Sequence, residues 1–276
     1  MINRKSALAA AFWEKGRLDD EGCPIYDFHG HMGLMDTIYF PSFAPESMVE
    51  TLKRCGAKRL VFCHHRALKY PEGEEDNLEA VLKFPDYFFA YHAVIPNRTS
   101  PKEAFERVER YKDHYFGFKI HCDWHKTPLT DPAYAPFLEY INRNKLPTLL
   151  HTWGHSQYNG VDVIAKVAEK YPDIHFFCGH AFHGDWLNGA KLCAKFPNLH
   201  PELTAVNDDN GTLELLCEHV GSDRIFFGTD LPWFDPHHGI GAILSADITD
   251  DDRRNIFYRN GIKLLNKQGY PTPELP

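Results

Sequence analysis

Short apolar runs alternate with longer amphipathic stretches along most of this chain. The stretches have helical spacing, and several open at Ser, Asp or Pro and end near Gly or Pro, as helices do. Such alternation is typical of βα units that wind a parallel sheet. Pro201 fits the seventh run poorly, because proline cannot donate a ladder hydrogen bond. The apolar runs predicted as strands are 25–29, 59–63, 87–93, 115–121, 147–151, 174–179, 199–205 and 224–229.

Eight such units favour an α/β fold of the (β/α)8, or TIM-barrel, class. The alternative is an open, doubly wound sheet, but no Gly-rich phosphate loop follows the first strand. The chain has 276 residues, and barrels of this class commonly run about 250 residues as one unit. We therefore predict a single domain, with an N-terminal extension helix within 1–23 and the barrel over about 24–266.

Composition narrows the classes of protein to be considered. The formal net charge of -8 argues against a general nucleic-acid surface, which needs clustered basic residues. No apolar run approaches the 18 to 20 or so residues that a membrane helix needs. The seven cysteines are an odd number without a CxxC pair, which favours reduced thiols. We expect a cytoplasmic protein that binds neither nucleic acid nor membrane.

Polar residues close several of the predicted strands. In an α/β barrel the C-terminal ends of the strands surround one mouth, so these side chains should converge. An HxH pair such as His29 and His31 shares one face of its strand, although such a pair alone is weak evidence for a metal. Three imidazoles and a carboxylate suit Zn²⁺, with Mn²⁺ or Fe²⁺ as alternatives, and leave a position for water. The residues of this predicted site are His29, His31, His151 and Asp230.

Five motifs, YDFHGHMG, GFKIH, LLHTWG, CGH and FGTDLPW, follow one another along the chain. Together they resemble the amidohydrolase superfamily, in particular its amidohydrolase-related (amidohydrolase 2) branch of metal-dependent TIM-barrel hydrolases. The similarity covers roughly 24–266 and includes the terminal RNGIKLL. It implies metal ligands at His29, His31, His151 and Asp230. It also implies that His180 binds a second metal or orients substrate and water, that Asp230 is the general base, and that the chain can form a homodimer.

Lys119 and His121 close the fourth predicted strand. In two-metal members of the superfamily a strand-4 lysine is carbamylated and bridges both ions, whereas one-metal members lack that bridge. Lys119 is therefore either carbamylated or lies off the metal and meets an anionic substrate, because an unmodified buried lysine beside a dication is costly. The number of ions stays open with it. His121 points the same way and is either a substrate contact or a hydrogen-bonded barrel histidine.

Cations in the early loops suggest a small-molecule substrate that carries a carboxylate, since arginine binds carboxylates through paired hydrogen bonds. The alternative is that Arg66, Arg98 and Lys126 are ordinary surface residues. Two tryptophans flank the predicted ligands and can wall a pocket or simply pack under the loops. The candidate substrate-binding residues are His121, Arg66, Arg98, Lys126, His125, Trp153, His155 and Trp233.

The leading hypothesis is a hydrolase in which metal-activated water attacks the carbonyl of a small carboxylated lactone, ester or amide. Asp230, His180 and Lys119 are its candidate catalytic residues. The alternative is a lyase, because the same branch contains decarboxylases and hydratases that act on unsaturated or aromatic carboxylic acids. A TatD-like nuclease is less favoured, since such enzymes typically place a glutamate where this chain has Lys119. A non-catalytic metal-binding protein would be expected to have a closed metal site or to lack a ligand.

Overall fold

A computed structural model describes residues 6–36, 38–206, 209–270 and 272. Seven parallel strands form one sheet in which every strand lies next to its neighbour in sequence. This order, with a helical connection after each strand, is the winding of a (β/α)8 barrel, and the predicted fold class is confirmed. The strands are β1 Ile25–Met32, β2 Ala57–His64, β3 Phe88–Val94, β4 Tyr115–Ile120, β5 Pro147–Trp153, β6 His175–His183 and β7 Leu199–Pro201.

Residues 225–231, which we call the closing segment, lie between β7 and β1. On one side Phe28 N donates to Phe227 O at 2.9 Å and His31 N donates to Leu231 O at 2.6 Å. On the other side Phe226 N donates to Pro201 O at 2.9 Å. The closing segment therefore takes the eighth position of the ring.

Two strand predictions need correction. The segment 224–229 is not a regular strand, because a 3-10 turn covers Ser222–Arg224 and Asp230 has a φ of 62°, which turns the backbone out of the extended conformation. The predicted strand 199–205 ends at Pro201, because the chain then turns, with Ala205 at a φ of 57°. The other six strands are found where the apolar runs predicted them.

Helices and short helical turns connect the strands. None of the helices in the described ranges is long and apolar enough to span a bilayer. All seven cysteines are free thiols. The α-helices are α1 Ala7–Lys15, α2 Pro45–Cys55, α3 His65–Lys69, α4 Glu74–Lys83, α5 Pro101–Arg110, α6 Cys122–His125, α7 Ala135–Asn144, α8 Val161–Lys170, α9 Trp186–Lys195, α10 Thr212–Val220, α11 Pro236–Ser245, α12 Asp250–Arg254 and α13 Asn260–Lys267, the last two joined by a π-helical turn at Asn255–Arg259.

Aromatic rings fill the barrel interior. Phe28 of β1 meets Phe116 of β4 and Phe177 of β6 at centroid distances of 5.6 and 5.7 Å, and Phe226 of the closing segment at 5.3 Å. Because β1 and β4 are not neighbours in the sheet, these rings must meet across the interior. Each buried ring contributes about 1.5–3 kcal/mol. These rings form a packed layer in the barrel interior, beneath the polar residues at the C-terminal ends of the strands.

Candidate metal centre

A cavity of about 590 Å³ opens where the strands end. Its walls hold six imidazoles, three indoles, two lysines and two aspartates, together with Met35 and Leu68. The mixture of apolar surface and a few converging polar groups is typical of a site for a small molecule. The predicted residues that line it are His29, His31, Lys119, His121, Lys126, His151, Trp153, His180, Asp230 and Trp233.

Among the histidines and aspartates in this cavity that could bind a metal, three side chains form a group. Oδ1 of Asp230 lies 3.1 Å from Nε2 of His31 and 3.4 Å from Nε2 of His29. One ligand atom from each of the three residues lies within 4.8 Å of the other two. Both histidines come from β1, while Asp230 comes from the closing segment about 200 residues later. The hydrogen bonds that dock the closing segment on β1, including Asp230 N to His29 O at 2.7 Å, bring the three together.

The outer nitrogens of both histidines have fixed partners. Nδ1 of His31 lies 2.8 Å from the carbonyl oxygen of Cys63, which can only accept, so this nitrogen carries the hydrogen. Nδ1 of His29 lies 2.7 Å from Oε2 of the buried Glu202. In neutral imidazoles with these tautomers, the two Nε2 lone pairs face the carboxylate of Asp230 without a proton between them. Such an arrangement of donors fits a cation.

The position of Asp230 is held by its surroundings. Its backbone is left-handed, with a φ of 62°. A non-glycine residue in this region costs about 1–3 kcal/mol and persists only where its surroundings hold it. Oδ1 of Asp230 is buried and has no hydrogen-bond partner among the described residues. The folded chain therefore keeps a carboxyl group in a strained position beside two imidazoles, with an oxygen free to bind a cation.

Lys119 stands directly beside these residues. Its ammonium is fully buried, and its Nζ lies 2.9 Å from Nε2 of His29. Burial lowers the pKa of Lys119, while the charges of Asp230 and Glu202 oppose that shift. The contact places Lys119 at the ligand cluster itself. Carbamylation and a role toward an anionic substrate both remain predictions.

His151, His180 and His121 form a second group of imidazoles in the cavity. The ring of His151 lies 4.7 Å from that of His180 and is stacked on that of His121 at 4.1 Å. Nδ1 of His151 lies 3.1 Å from Oδ2 of Asp123, which also accepts from Asn159 at 2.6 Å. The structure therefore places His151 next to the closest three residues but not among them, and its role as a ligand remains a prediction.

His180 follows an unusual run of backbone. His180, Ala181 and Phe182 all have positive φ, at 66°, 45° and 62°. Thr152 holds the run in place, since its hydroxyl donates to Gly179 O at 2.7 Å and accepts from Phe182 N at 3.1 Å. Nδ1 of His180 is buried and has no hydrogen-bond partner among the residues described. Burial, and then the neighbouring His151, keep the pKa of His180 well below its usual value, so the imidazole is neutral.

Lys126, Trp153 and Trp233 form part of the cavity wall. Lys126 has a left-handed backbone, with a φ of 52°, and Nζ lies 5.7 Å from the ring centre of Tyr158. No carboxylate of the described residues lies within ion-pair distance of it. The indole of Trp153 is stacked on the ring of His151 with an interplanar angle of 7°. The indole of Trp233 donates to Nε2 of His65 at 3.0 Å.

The other predicted substrate contacts lie outside this cavity. Arg66 pairs with Asp76 on the surface at 2.9 Å, and Arg98 donates to Lys69 O at 2.9 Å. Nε2 of His125 lies 2.9 Å from Leu68 O. His155 is exposed in a separate groove beside α8 and α9. Their roles toward a substrate therefore remain predictions without a contact to the cavity.

Several residues that hold the predicted ones in place were not predicted from the sequence. Glu202 is the main example: it lies just past β7, inside a run that was interpreted only as a strand. A carboxylate in such an apolar run is the signal that could have identified it, because buried acids need specific partners. Asp123, in the short helix α6, and Asn159, in the turn before α8, hold His151 and carry no comparable signal.

Comparisons with known proteins agree with this architecture. The amidohydrolase family profile matches residues 70–267, more than half of the chain. One curated relative, the gamma-resorcylate decarboxylase of Rhizobium sp. (strain MTP-10005), is 26% identical over 245 residues, which cover 69% of this chain and 74% of the relative.

Two solved structures show the same fold. The 2,6-dihydroxybenzoate decarboxylase from Rhizobium superposes with a TM-score of 0.70 at 17% identity, covering 89% of this chain and 99% of that one. The 5-carboxyvanillate decarboxylase of Novosphingobium aromaticivorans, solved with manganese and 4-hydroxy-3-methoxy-5-nitrobenzoic acid, gives a TM-score of 0.69 at 11% identity, with 90% and 97% covered. With the profile match over most of its length, the chain belongs to the amidohydrolase family.

Proposed function

We propose that this protein is a divalent-metal-dependent lyase that removes CO2 from a small aromatic carboxylic acid. The observation that carries the proposal is the convergence of Nε2 of His29, Nε2 of His31 and Oδ1 of Asp230 at the base of a cavity walled by indoles. These atoms are the donors that a divalent ion prefers when it must also bind substrate oxygens.

The residues that hold the ion follow from the geometry. His29, His31 and Asp230 are the closest three, and the family resemblance implies His151 as the fourth ligand. His180, whose ring neighbours those of His29 and His151, would bind a second metal or orient substrate and water. When bound, a divalent ion supplies Lewis acidity, which stabilises negative charge on substrate oxygens. Zn²⁺ and Mn²⁺ both suit this mixture of imidazole and carboxylate, so both belong in the assay.

The cavity suits a planar, negatively charged molecule. Trp124, Trp153 and Trp233 offer flat apolar surface, and Lys126 offers a positive charge that no described carboxylate neutralises. A volume of about 590 Å³ lies within the usual range for small-molecule pockets. An aromatic ring with a carboxylate satisfies the apolar walls and the cation together.

The reaction exchanges a carboxylate for a proton. A proton is added to the ring carbon that carries the carboxylate, the bond to the carboxylate carbon breaks, its electron pair returns to the ring, and CO2 leaves. Asp230 and His180 can move that proton, because both are titratable, buried and face the cavity. The neutral His180 can accept a proton from a substrate hydroxyl, and its Nδ1 has no competing partner among the described residues.

The comparisons support a lyase better than the hydrolase that the sequence analysis put first. The curated relative is a decarboxylase, and so are the two solved structures described above. The metal-site motifs are shared by both chemistries, so they do not favour hydrolysis. Hydrolysis of a carboxylated ester or amide therefore becomes the competing outcome of the test.

The test supplies both kinds of substrate to the same enzyme. Purified protein loaded with Mn²⁺ or Zn²⁺ is incubated with carboxyl-¹³C-labelled 2,6-dihydroxybenzoate and other hydroxybenzoates, and in parallel with their methyl esters and amides. Release of labelled CO2 together with the matching phenol is expected. Cleavage of the esters or amides without CO2 from any acid would overturn the proposal in favour of a hydrolase.

A further inference from the structure

We propose that Glu202 is a positioning residue that fixes His29 as its Nδ1–H tautomer and so presents the Nε2 lone pair of His29 to His31 and Asp230. This inference deepens the proposed function, on which it rests for the identity of the cation. Its physical content, the tautomer of one imidazole, can be measured without any metal.

The carboxylate of Glu202 is fully buried, and its two oxygens have different hydrogen-bond partners. Oε1 accepts two hydrogen bonds from Thr204, one from the backbone N and one from the hydroxyl, both at 2.8 Å. Oε2 lies 2.7 Å from Nδ1 of His29. Because Thr204 supplies two donors to one oxygen, the carboxylate is held in one rotation and its other oxygen faces the imidazole. Burial raises the pKa of Glu202 to about 8, while the Thr204 hydrogen bonds and the charge of Lys119 favour the ionised form. As a carboxylate, Oε2 can only accept, so the hydrogen of this contact lies on Nδ1.

The backbone on both sides leaves room for this pair. A Cβ at Gly228, in the closing segment, would lie 1.9 Å from Oε1 of Glu202 and 2.8 Å from Cβ of His29. A Cβ at Gly179 of β6 would lie 2.6 Å from Leu150 O, 3.1 Å from Cε1 of His29 and 3.3 Å from Oε2 of Glu202. A side chain is therefore excluded at both glycines. The carboxylate and the imidazole occupy that space together.

The other nitrogen of His29 points to the same tautomer. Nζ of Lys119 lies 2.9 Å from Nε2 of His29, and an ammonium can only donate. Nε2 must then carry a lone pair, and the hydrogen must sit on Nδ1. Contacts on opposite sides of the ring, one with an acid and one with an ammonium, thus agree on where the proton is.

A second buried carboxylate provides a matched control. Asp27 lies on the same strand as His29 and is as deeply buried as Glu202. It accepts from His29 N at 3.1 Å, from Thr229 N at 3.2 Å and from the Thr229 hydroxyl at 2.5 Å, all of which leave the imidazole untouched. Asp27→Asn removes a buried acid near the site, as Glu202→Gln does, but it should not move the proton on His29.

The first measurement uses the wild-type protein free of metal. Long-range ¹H–¹⁵N correlations of histidine-labelled protein report the tautomer of each ring, and the His29 signal is assigned by its loss in His29→Gln. We expect a neutral His29 with its hydrogen on Nδ1. A hydrogen on Nε2 would overturn the proposal, whatever the variants do.

The second measurement compares the variants. In Glu202→Gln the two Thr204 donors hold the amide oxygen, so the amide nitrogen donates to Nδ1 and drives the hydrogen to Nε2. We expect that switch and a fall in Mn²⁺ affinity of about 10- to 100-fold in a chelator competition. Asp27→Asn should keep both properties of the wild type. An unchanged Glu202→Gln, or an equal loss in Asp27→Asn, would overturn the proposal.

The two proposals fail in different ways. A wild-type protein that binds no Mn²⁺ or releases no CO2 would overturn the proposed function, while the tautomer of His29 would still decide the role of Glu202. Should Glu202→Gln not fold, Thr204→Val takes its place. It keeps the carboxylate but removes one of the two donors that fix its rotation, so a partial shift of the tautomer equilibrium is expected, and no shift would count against the proposal.

Discussion

Histidines gather at both ends of this barrel, but only one end is built to hold a cation. At the mouth, Nδ1 of His29 faces Glu202 and Nδ1 of His31 faces the Cys63 carbonyl, and both Nε2 atoms face Asp230. At the opposite end, where β6 and β7 begin, Nδ1 of His175 lies 3.0 Å from Nε2 of His200.

The pair at the lower end has the wrong neighbours for a metal. Nζ of Lys267 lies 3.1 Å from Nε2 of His175, and the ring of His200 packs 5.4 Å from that of Phe226. The ammonium of Lys267 donates to His175, His175 donates in turn to His200, and His200 packs against the aromatic core. Burial, and then His175, lower the pKa of His200 to about 3. The density of histidines therefore does not define the site; an outer acceptor and an inner carboxylate do.

The largest expected effect comes from Asp230→Asn. Decarboxylation should fall by about 10²- to 10⁴-fold, because the amide cannot carry the proton. Much of the bound metal should remain, since the amide oxygen can still ligate. The assay is the release of labelled CO2 alongside metal analysis. Asp235→Asn is the control, because Asp235 is exposed and paired with Arg54; an equal loss there would remove the special role of Asp230.

A direct test of the two ends replaces one histidine from each. His31→Asn should weaken Mn²⁺ binding by about 100-fold or more, because loss of a ligand exceeds the 10- to 100-fold cost of losing its outer partner. His200→Asn should leave Mn²⁺ binding unchanged. Chelator competition on both variants measures the difference. Comparable losses in the two would mean that the contrast drawn between the ends is wrong.

The histidine pair at the lower end should affect the pH dependence of stability instead of metal binding. Because the pKa of His200 is about 3 in the folded chain and near its ordinary 6.5 when unfolded, the unfolded state binds more protons between those values. His200 therefore makes the protein less stable as pH falls from about 6.5 toward 3, by up to about 1.4 kcal/mol per pH unit. His200→Phe should flatten this slope in urea unfolding. An unaltered slope would show that the pKa of His200 is the same in the folded and the unfolded chain.

The smallest expected effect is that of Lys267→Met. The contact of Lys267 with His175 is exposed, and such surface contacts contribute about 0–1 kcal/mol. Thermal unfolding should change little, and Mn²⁺ affinity should not change. A large loss of metal binding would mean that the two ends are linked through the barrel.

The sequence predicted the mouth because of a simple geometric rule. Parallel strands end on one side, so His29, His31, His180 and Asp230 had to meet even though they are far apart in the chain. The convergence of strand ends brings the Cα atoms near one another. It does not determine the tautomers of the histidines, nor which side chains come within ligand distance of each other. Those depend on Glu202, Cys63 and Asp123, whose importance appears only when the side chains are packed.

Two other predictions were limited by backbone and competing contacts. The extended pattern of 224–229 gives no hint that Asp230 adopts a left-handed conformation, because the docking of residues 225–231 on β1 imposes it. Arg66 and Arg98 looked like substrate contacts because their loops open toward the mouth. Each instead pairs locally, with Asp76 and with the Lys69 carbonyl, and such pairings cannot be read from charge alone.

The closing segment makes ring closure and site assembly one event. It lies between β7 and β1, and the hydrogen bonds that close the barrel there also place Asp230 beside the histidines of β1. An ion bound by both β1 and the closing segment would cross-link the two. At an ion concentration about 100 times the dissociation constant, binding would raise the free energy of unfolding by about 2.7 kcal/mol. Loading the metal should therefore raise the temperature at which the barrel opens.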